Sequence, residues 1–86
     1  MDRVVYKYNV TPGYNLLNFH VGSKIVHVGE QNYGLYIWVE QDLSRPIEYK
    51  TINVYGTGDA IRNQHEHHVG SVATQNGLVW HVYEMM

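Results

Sequence analysis

The sequence predicts an all-β protein, a small antiparallel sandwich or partly open barrel of six to seven short strands. Three observations predict it. Apolar and polar residues alternate with a period of two through most of the chain, and turn residues interrupt that alternation about every 8 to 12 positions. Aromatic side chains are also abundant, with eight tyrosines and two tryptophans among 86 residues. So thin a core cannot absorb all of those rings, which suit a surface that binds a flat ligand or another subunit.

Val4, Tyr6, Tyr8 and Val10 share one face of a first strand, with Arg3, Val5, Lys7 and Asn9 on the other. Thr11-Pro12-Gly13 turns the chain, because Pro presets φ and Gly accepts a positive one. Tyr14 to Val21 sets Leu17, Phe19 and Val21 together, opposite Asn18 and His20, and Gly22-Ser23 ends it. Lys24 to Gly29 and Leu35 to Glu40 form a hairpin around Glu30 to Gly34. In its second strand Leu35, Ile37 and Val39 face one way and Tyr36 and Trp38 the other, so both faces need cover or a central place in a sheet. Gln41 to Pro46 reads as a polar loop, and Ile47 to Tyr55 as the longest strand. Ala60 to His68 lacks β periodicity and reads as a loop. Val69 to Thr74 and Leu78 to Glu84 form a terminal hairpin about Gln75-Asn76-Gly77.

Residues 1–86 make one domain, which at this length buries only ~60 to 65% of its unfolded surface. Without cysteine there is no disulfide staple, no thiolate site and no Cys nucleophile, which leaves self-association, as a dimer or tetramer, as the common remedy for a marginal core. The amino-terminal MDRVVYKYNV is neither signal peptide nor anchor, and no run reaches the ~20 apolar residues that span a bilayer. The expected location is the cytoplasm, with no membrane partner. A formal charge of −2 argues against gripping long nucleic acid through its phosphates, while a small anionic ligand needs only a few donors.

Three constellations carry chemistry. In His65-Glu66-His67-His68, an extended chain points His65 and His67 the same way, as a metal site or a pH sensor requires; a solvated polar loop is the ordinary alternative, and no third ligand at fixed spacing is visible. At the end of the longest strand, Tyr55-Gly56-Thr57-Gly58-Asp59 with Arg62 offers backbone N–H groups, a hydroxyl and a guanidinium to phosphate oxygens. It lacks the GxxxxGK[ST] run of a P-loop, and its ordinary reading is a tight turn with positive φ. The third is the ring set Tyr14, Tyr33, Tyr36, Trp38, Tyr49, Tyr55, Trp80 and Tyr83, of which Tyr14 and Tyr55 sit beside turns where a base can stack. Ser23, Ser44 and Ser71 lie in no nucleophile elbow and no acidic pair is readable, so no enzyme and no cofactor is expected.

The blocks KIVHVGEQN (Lys24 to Asn32), INVYGTGDAI (Ile52 to Ile61), HVGSVAT (His68 to Thr74) and LVWHVYE (Leu78 to Glu84), with VVYKY before a Pro-Gly turn, resemble a widespread family of very short phage-encoded β proteins. The chain departs from it in carrying HEHH where a more acidic or Pro-containing loop is expected. Small phage proteins of this size often disarm host defence, and this one is similar to the anti-CBASS sponges. That resemblance implies an oligomer that binds a cyclic dinucleotide signal intact in the cytoplasm of the infected bacterium. The expected contacts are Tyr14, Tyr55 and Trp38 on bases, Gly56, Thr57 and Gly58 at close backbone approach, and Arg62 or Lys50 on phosphate. The rival readings are a protein-blocking inhibitor of anti-CRISPR type and a small structural phage protein.

Overall fold

A computed structural model describes residues 2–86, which form seven antiparallel strands in two sheets. They are β1 (Arg3–Val10), β2 (Gly13–His20), β3 (Lys24–Gln31), β4 (Gly34–Asp42), β5 (Ile47–Gly56), β6 (Glu66–Ala73) and β7 (Val79–Met85). One sheet has the order β1-β4-β3 and the other β2-β5-β7-β6. The predicted strands all appear. Some boundaries differ: Glu30 and Gln31 extend β3 into the segment read as a turn, Gln41 and Asp42 belong to β4 rather than to a loop, and β6 begins at Glu66, inside the segment read as a loop.

Alternation along the strands delivers one shared core. Val10 of β1, Phe19 of β2, Leu35, Ile37 and Val39 of β4, Ile52 and Val54 of β5 and Val82 of β7 are buried together. β4 lies between β1 and β3, which answers its two apolar faces: the odd positions fill the core while Tyr36 and Trp38 lie on the outer face. Gln41 is the one buried polar side chain among the described residues, and it bridges the sheets. Its Nε2 donates to the Tyr8 hydroxyl at 2.7 Å, its Oε1 accepts from the His20 N–H at 2.8 Å, and Tyr8 in turn donates to the Asn18 carbonyl at 3.1 Å. A polar loop residue by pattern is thus a fully satisfied core residue in fact.

Two bulges break the alternation. In β3, Ile25 pairs with Val39 and His27 with Trp38, which leaves Val26 without a partner. In β6, His68 pairs with Tyr83 and Gly70 with Val82, which leaves Val69 extra. Each extra residue reverses the parity of the remainder of its strand. So Ile25, Val28 and Glu30 all face the core side, and His68 and Ser71 both face outward. β3 and β6 are the neighbouring edges of the two sheets, and they meet where Gly70 lies under Val28. A Cβ on Gly70 would stand 2.6 Å from Val28 Cγ2, so any side chain there would force Val28 or the backbone to shift.

The β3–β4 turn is strained. Its two central residues, Asn32 and Tyr33, have φ of 49° and 65°, the pattern of a type I′ hairpin. Asn tolerates the left-handed region, Tyr adopts it only at a cost, and Gly is the usual occupant of the second position.

These contacts have two measurable consequences. Gly70→Ala should cost about 1–3 kcal/mol of unfolding free energy, read by urea denaturation, and Val28→Ala in the same chain should recover part of that loss. Tyr33→Gly should stabilise the fold by a few tenths to about 1 kcal/mol, since relieved backbone strain outweighs the added freedom of the unfolded chain.

Candidate functional site

The outer face of β2-β5-β7-β6 collects rings, hydroxyls and imidazoles. β5 contributes Asn53 and Tyr55, β7 His81 and Tyr83, and β6 Glu66, His68 and Ser71. The cross-strand pairs Tyr55–His81, Asn53–Tyr83, His68–Tyr83 and Ser71–His81 place them in one patch. Tyr83 packs edge-on against Tyr55, with ring centroids 5.5 Å apart, and against His68 at 5.2 Å.

A hydrogen-bonded chain runs across the patch. Thr57 Oγ1 lies 2.9 Å from His81 Nε2, Ser71 Oγ 2.7 Å from His81 Nδ1, and His68 Nε2 2.9 Å from Ser71 Oγ. Thr57 Oγ1 also approaches the Val79 carbonyl at 3.5 Å. With the Thr57 O–H turned there, His81 donates through Nε2, and its Nδ1 accepts from Ser71. That polarity suits a serine nucleophile, but the group behind His81 is a hydroxyl, which cannot stabilise an imidazolium as a carboxylate does.

At the far end of the patch both oxygens of Glu66 accept short hydrogen bonds, from Asn53 Nδ2 and from the Tyr55 hydroxyl. Burial, together with the Glu66 hydrogen bond and charge, pushes the Tyr55 phenol up to about 12. Tyr55 is therefore a pinned, neutral donor rather than a free ring. It is locked edge-to-face with Tyr83 in the sheet's outer surface.

The residues singled out in the sequence divide between locations. Tyr14, exposed on β2, pairs across the sheet with Asn53 and so borders the patch, and Tyr55 is part of it. Thr57 enters it through His81. Gly56 serves a turn: its N–H donates to Asp59 Oδ2 at 2.7 Å, its carbonyl accepts from the Asp59 N–H, and the space a side chain would need is taken by Asp59 and the Trp80 indole. Gly58 has a φ of 94°, as a tight turn requires. Arg62 is exposed in the loop before β6. Lys50 points to the other side of β5, with Nζ 3.8 Å from Glu84. Trp38 lies on the outer face of the opposite sheet, between His27 at 4.9 Å and Tyr36 at 6.3 Å, so a single chain does not bring it to Tyr55.

His67 and His68 fall on opposite faces of β6, facing Glu84 and Tyr83. Among the described residues, no group of three or more His, Asp or Glu side chains is gathered for a metal ion. No helix there is long and apolar enough to cross a membrane.

Glu66, His68, Ser71 and His81 form this patch without having been recognised as a group in the sequence. The outward positions of β7, His81 and Tyr83, were readable by period two. Their partners were not, because His68 and Ser71 are three positions apart and strict alternation would put them on opposite faces.

The pinned phenol gives a pH test. A phenol whose folded value is raised binds its proton more tightly in the native state, so its contribution is complete below about pH 10 and fades as pH climbs through about 12. Ultraviolet titration should show one of the eight tyrosines ionising near pH 12. Tyr55→Phe should remove that step and flatten the alkaline decline in stability.

A search of curated proteins and a search of solved structures each found no match to this chain. A scan against family models matched one model, described as Domain of unknown function (DUF7352), over residues 1–86. An all-β chain with this outer patch, matched from end to end, belongs to the DUF7352 family.

Proposed function

We propose that this protein is a non-enzymatic, homo-oligomeric β-sandwich that captures a cyclic dinucleotide intact, as a phage-encoded decoy in the cytoplasm of an infected bacterium. The observation that carries the reading is the outer patch itself, which sets Tyr14, Tyr83 and two imidazoles beside the hydroxyls of Ser71 and Thr57 on one sheet face. Rings of this kind stack on bases at about 1–3 kcal/mol each, and a phosphate oxygen would draw a donor of the hydroxyl–imidazole chain from its internal partner. Arg62 supplies a cation from the adjoining loop.

The edge of β2 supports the oligomer. β1 carries Arg3 and Lys7, β3 carries Lys24 and a bulge, and β6 carries Glu66 and a bulge, all devices that discourage edge pairing. β2, GYNLLNFH, has neither charged Lys, Arg, Asp or Glu nor a bulge. The Asn18 carbonyl and His20 N–H on its open edge are taken by Tyr8 and Gln41. By the alternation of an antiparallel ladder, Tyr14 and Leu16 present their backbone groups to the same edge. Two β2 strands paired about Asn15 would join Tyr14 of each chain to Leu16 of the other and bring two copies of the patch onto one continuous face, matching a two-fold ligand.

Mass spectrometry under non-denaturing conditions, with a panel of cyclic dinucleotides, tests this reading. The expected result is an oligomer with an even number of subunits, carrying nucleotide that is recovered unchanged. Leu16→Lys should give monomers, and Tyr14→Ala should weaken binding about ten-fold or more. A monomer that binds no nucleotide, or a nucleotide recovered as hydrolysis products, would refute it.

A further inference from the structure

A second region, which touches the outer patch only at Thr57, lies around the turns that join β1 to β2, β3 to β4 and β6 to β7. Three adjoining hollows of about 410, 350 and 290 Å³ open there. The largest has an apolar floor of Val10, Leu35 and Trp80. Glu30 and Tyr33 line it from one side and Asn76 from the other. Glu30 is the only charged side chain lining any of the three, and among the described residues no lysine or arginine does so.

Two features at this place run against the ordinary preferences of the chain. The bulge at Val26 reverses the parity of β3, so Glu30 pairs with buried Leu35 and faces the core side, where alternation alone would have sent it outward. One of its oxygens accepts the Gln75 N–H at 3.1 Å, and no described group bonds the other. Tyr33, 82% exposed, occupies a backbone conformation of φ 65° that glycine adopts at lower energy. A strained residue kept at the rim of a hollow is a sign of function, since its side chain contributes nothing to the core.

From this geometry we infer that the hollow binds an organic cation, an ammonium or guanidinium on a short apolar body. The free oxygen of Glu30 receives the charge, and the Tyr33 and Trp80 rings add the attraction of an aromatic face for a cation. Val10 and Leu35 accept the apolar body. A phosphate or carboxylate has no place there, because it would meet Glu30 without a compensating cation. The source of the cation is either a free amine or a basic side chain of a peptide. The site stands or falls separately from nucleotide capture on the outer sheet face.

The test follows the Trp80 indole N–H by NMR in the full chain, titrated with benzylamine and with benzyl alcohol as its uncharged counterpart. Benzylamine should shift the signal saturably, with at least ten-fold higher affinity than the alcohol. Glu30→Gln keeps an acceptor for the Gln75 N–H and should erase that difference. Tyr33→Gly should raise the melting temperature yet weaken benzylamine binding several-fold, a combination that a purely structural residue would not give. A lysine-containing tetrapeptide with blocked ends that binds more tightly than benzylamine assigns the site to a peptide side chain, and the reverse order assigns it to a free amine. Equal affinity for amine and alcohol, or amine binding unchanged by Glu30→Gln, overturns the inference.

Discussion

The two β-bulges are the constraint on which the arrangement of this protein depends. An antiparallel ladder gives each residue a face by counting in twos, and a single extra residue reverses the count for everything after it. At Val26 the reversal carries Val28 into the core and Glu30 toward the end hollow. At Val69 it brings His68 and Ser71 onto the same outer face, where Tyr83 and His81 meet them. The bulged strands are also the sheet edges that abut, Val28 seating over Gly70 with no space for a side chain between. Added twist at a bulge helps an edge bend away from flat pairing with other chains. Closure of the core, protection of two edges and placement of both candidate sites therefore share one local cause.

Polar groups complete what the bulges begin. Gln41 bridges β4 to β1 and to the edge of β2, and its buried amide is satisfied on both sides. Removing one member would strand a buried donor or acceptor, which costs more than the hydrogen bond contributes when made. The same bridge divides β2 into a covered half, at Asn18 and His20, and an open half, at Tyr14 and Leu16. Only the open half adjoins the outer patch.

The two tryptophans show how environment separates like residues. Trp38, at an even position of β4, lies outside against His27 and Tyr36, with Lys7 Nζ 4.8 Å from the Tyr36 ring. Trp80, on the inward side of β7, covers Gly56 and packs on the core, and it borders two hollows. The electrostatics divide as well. The outer patch is built of hydroxyls, imidazoles and a carboxylate already engaged by Asn53 and Tyr55, whereas the end hollow keeps one carboxylate oxygen unengaged. The anionic guest and the cationic guest proposed above would thus have different addresses on one small chain.

By itself the sequence determined the all-β class, the short strands, most turns and which residues of β2 and β4 share a face, because these arise from period two and from the backbone preferences of Gly, Pro and Asn. It also marked Tyr14, Tyr55 and Thr57, which the sheet does bring to one region, together with Gly56, which the fold uses for a turn and for the Trp80 indole. Tertiary structure alone decided that Gln41 is buried, that Lys50 pairs with Glu84 away from Tyr55, that Trp38 and Trp80 part company, and that His68, Ser71 and His81 form one hydrogen-bonded chain on the face where Glu66 holds Asn53 and Tyr55. The physical reason is that parity is a local property only until a bulge intervenes. An inserted residue shows only in how a strand pairs with its neighbour, and the period-two pattern within the strand does not record it.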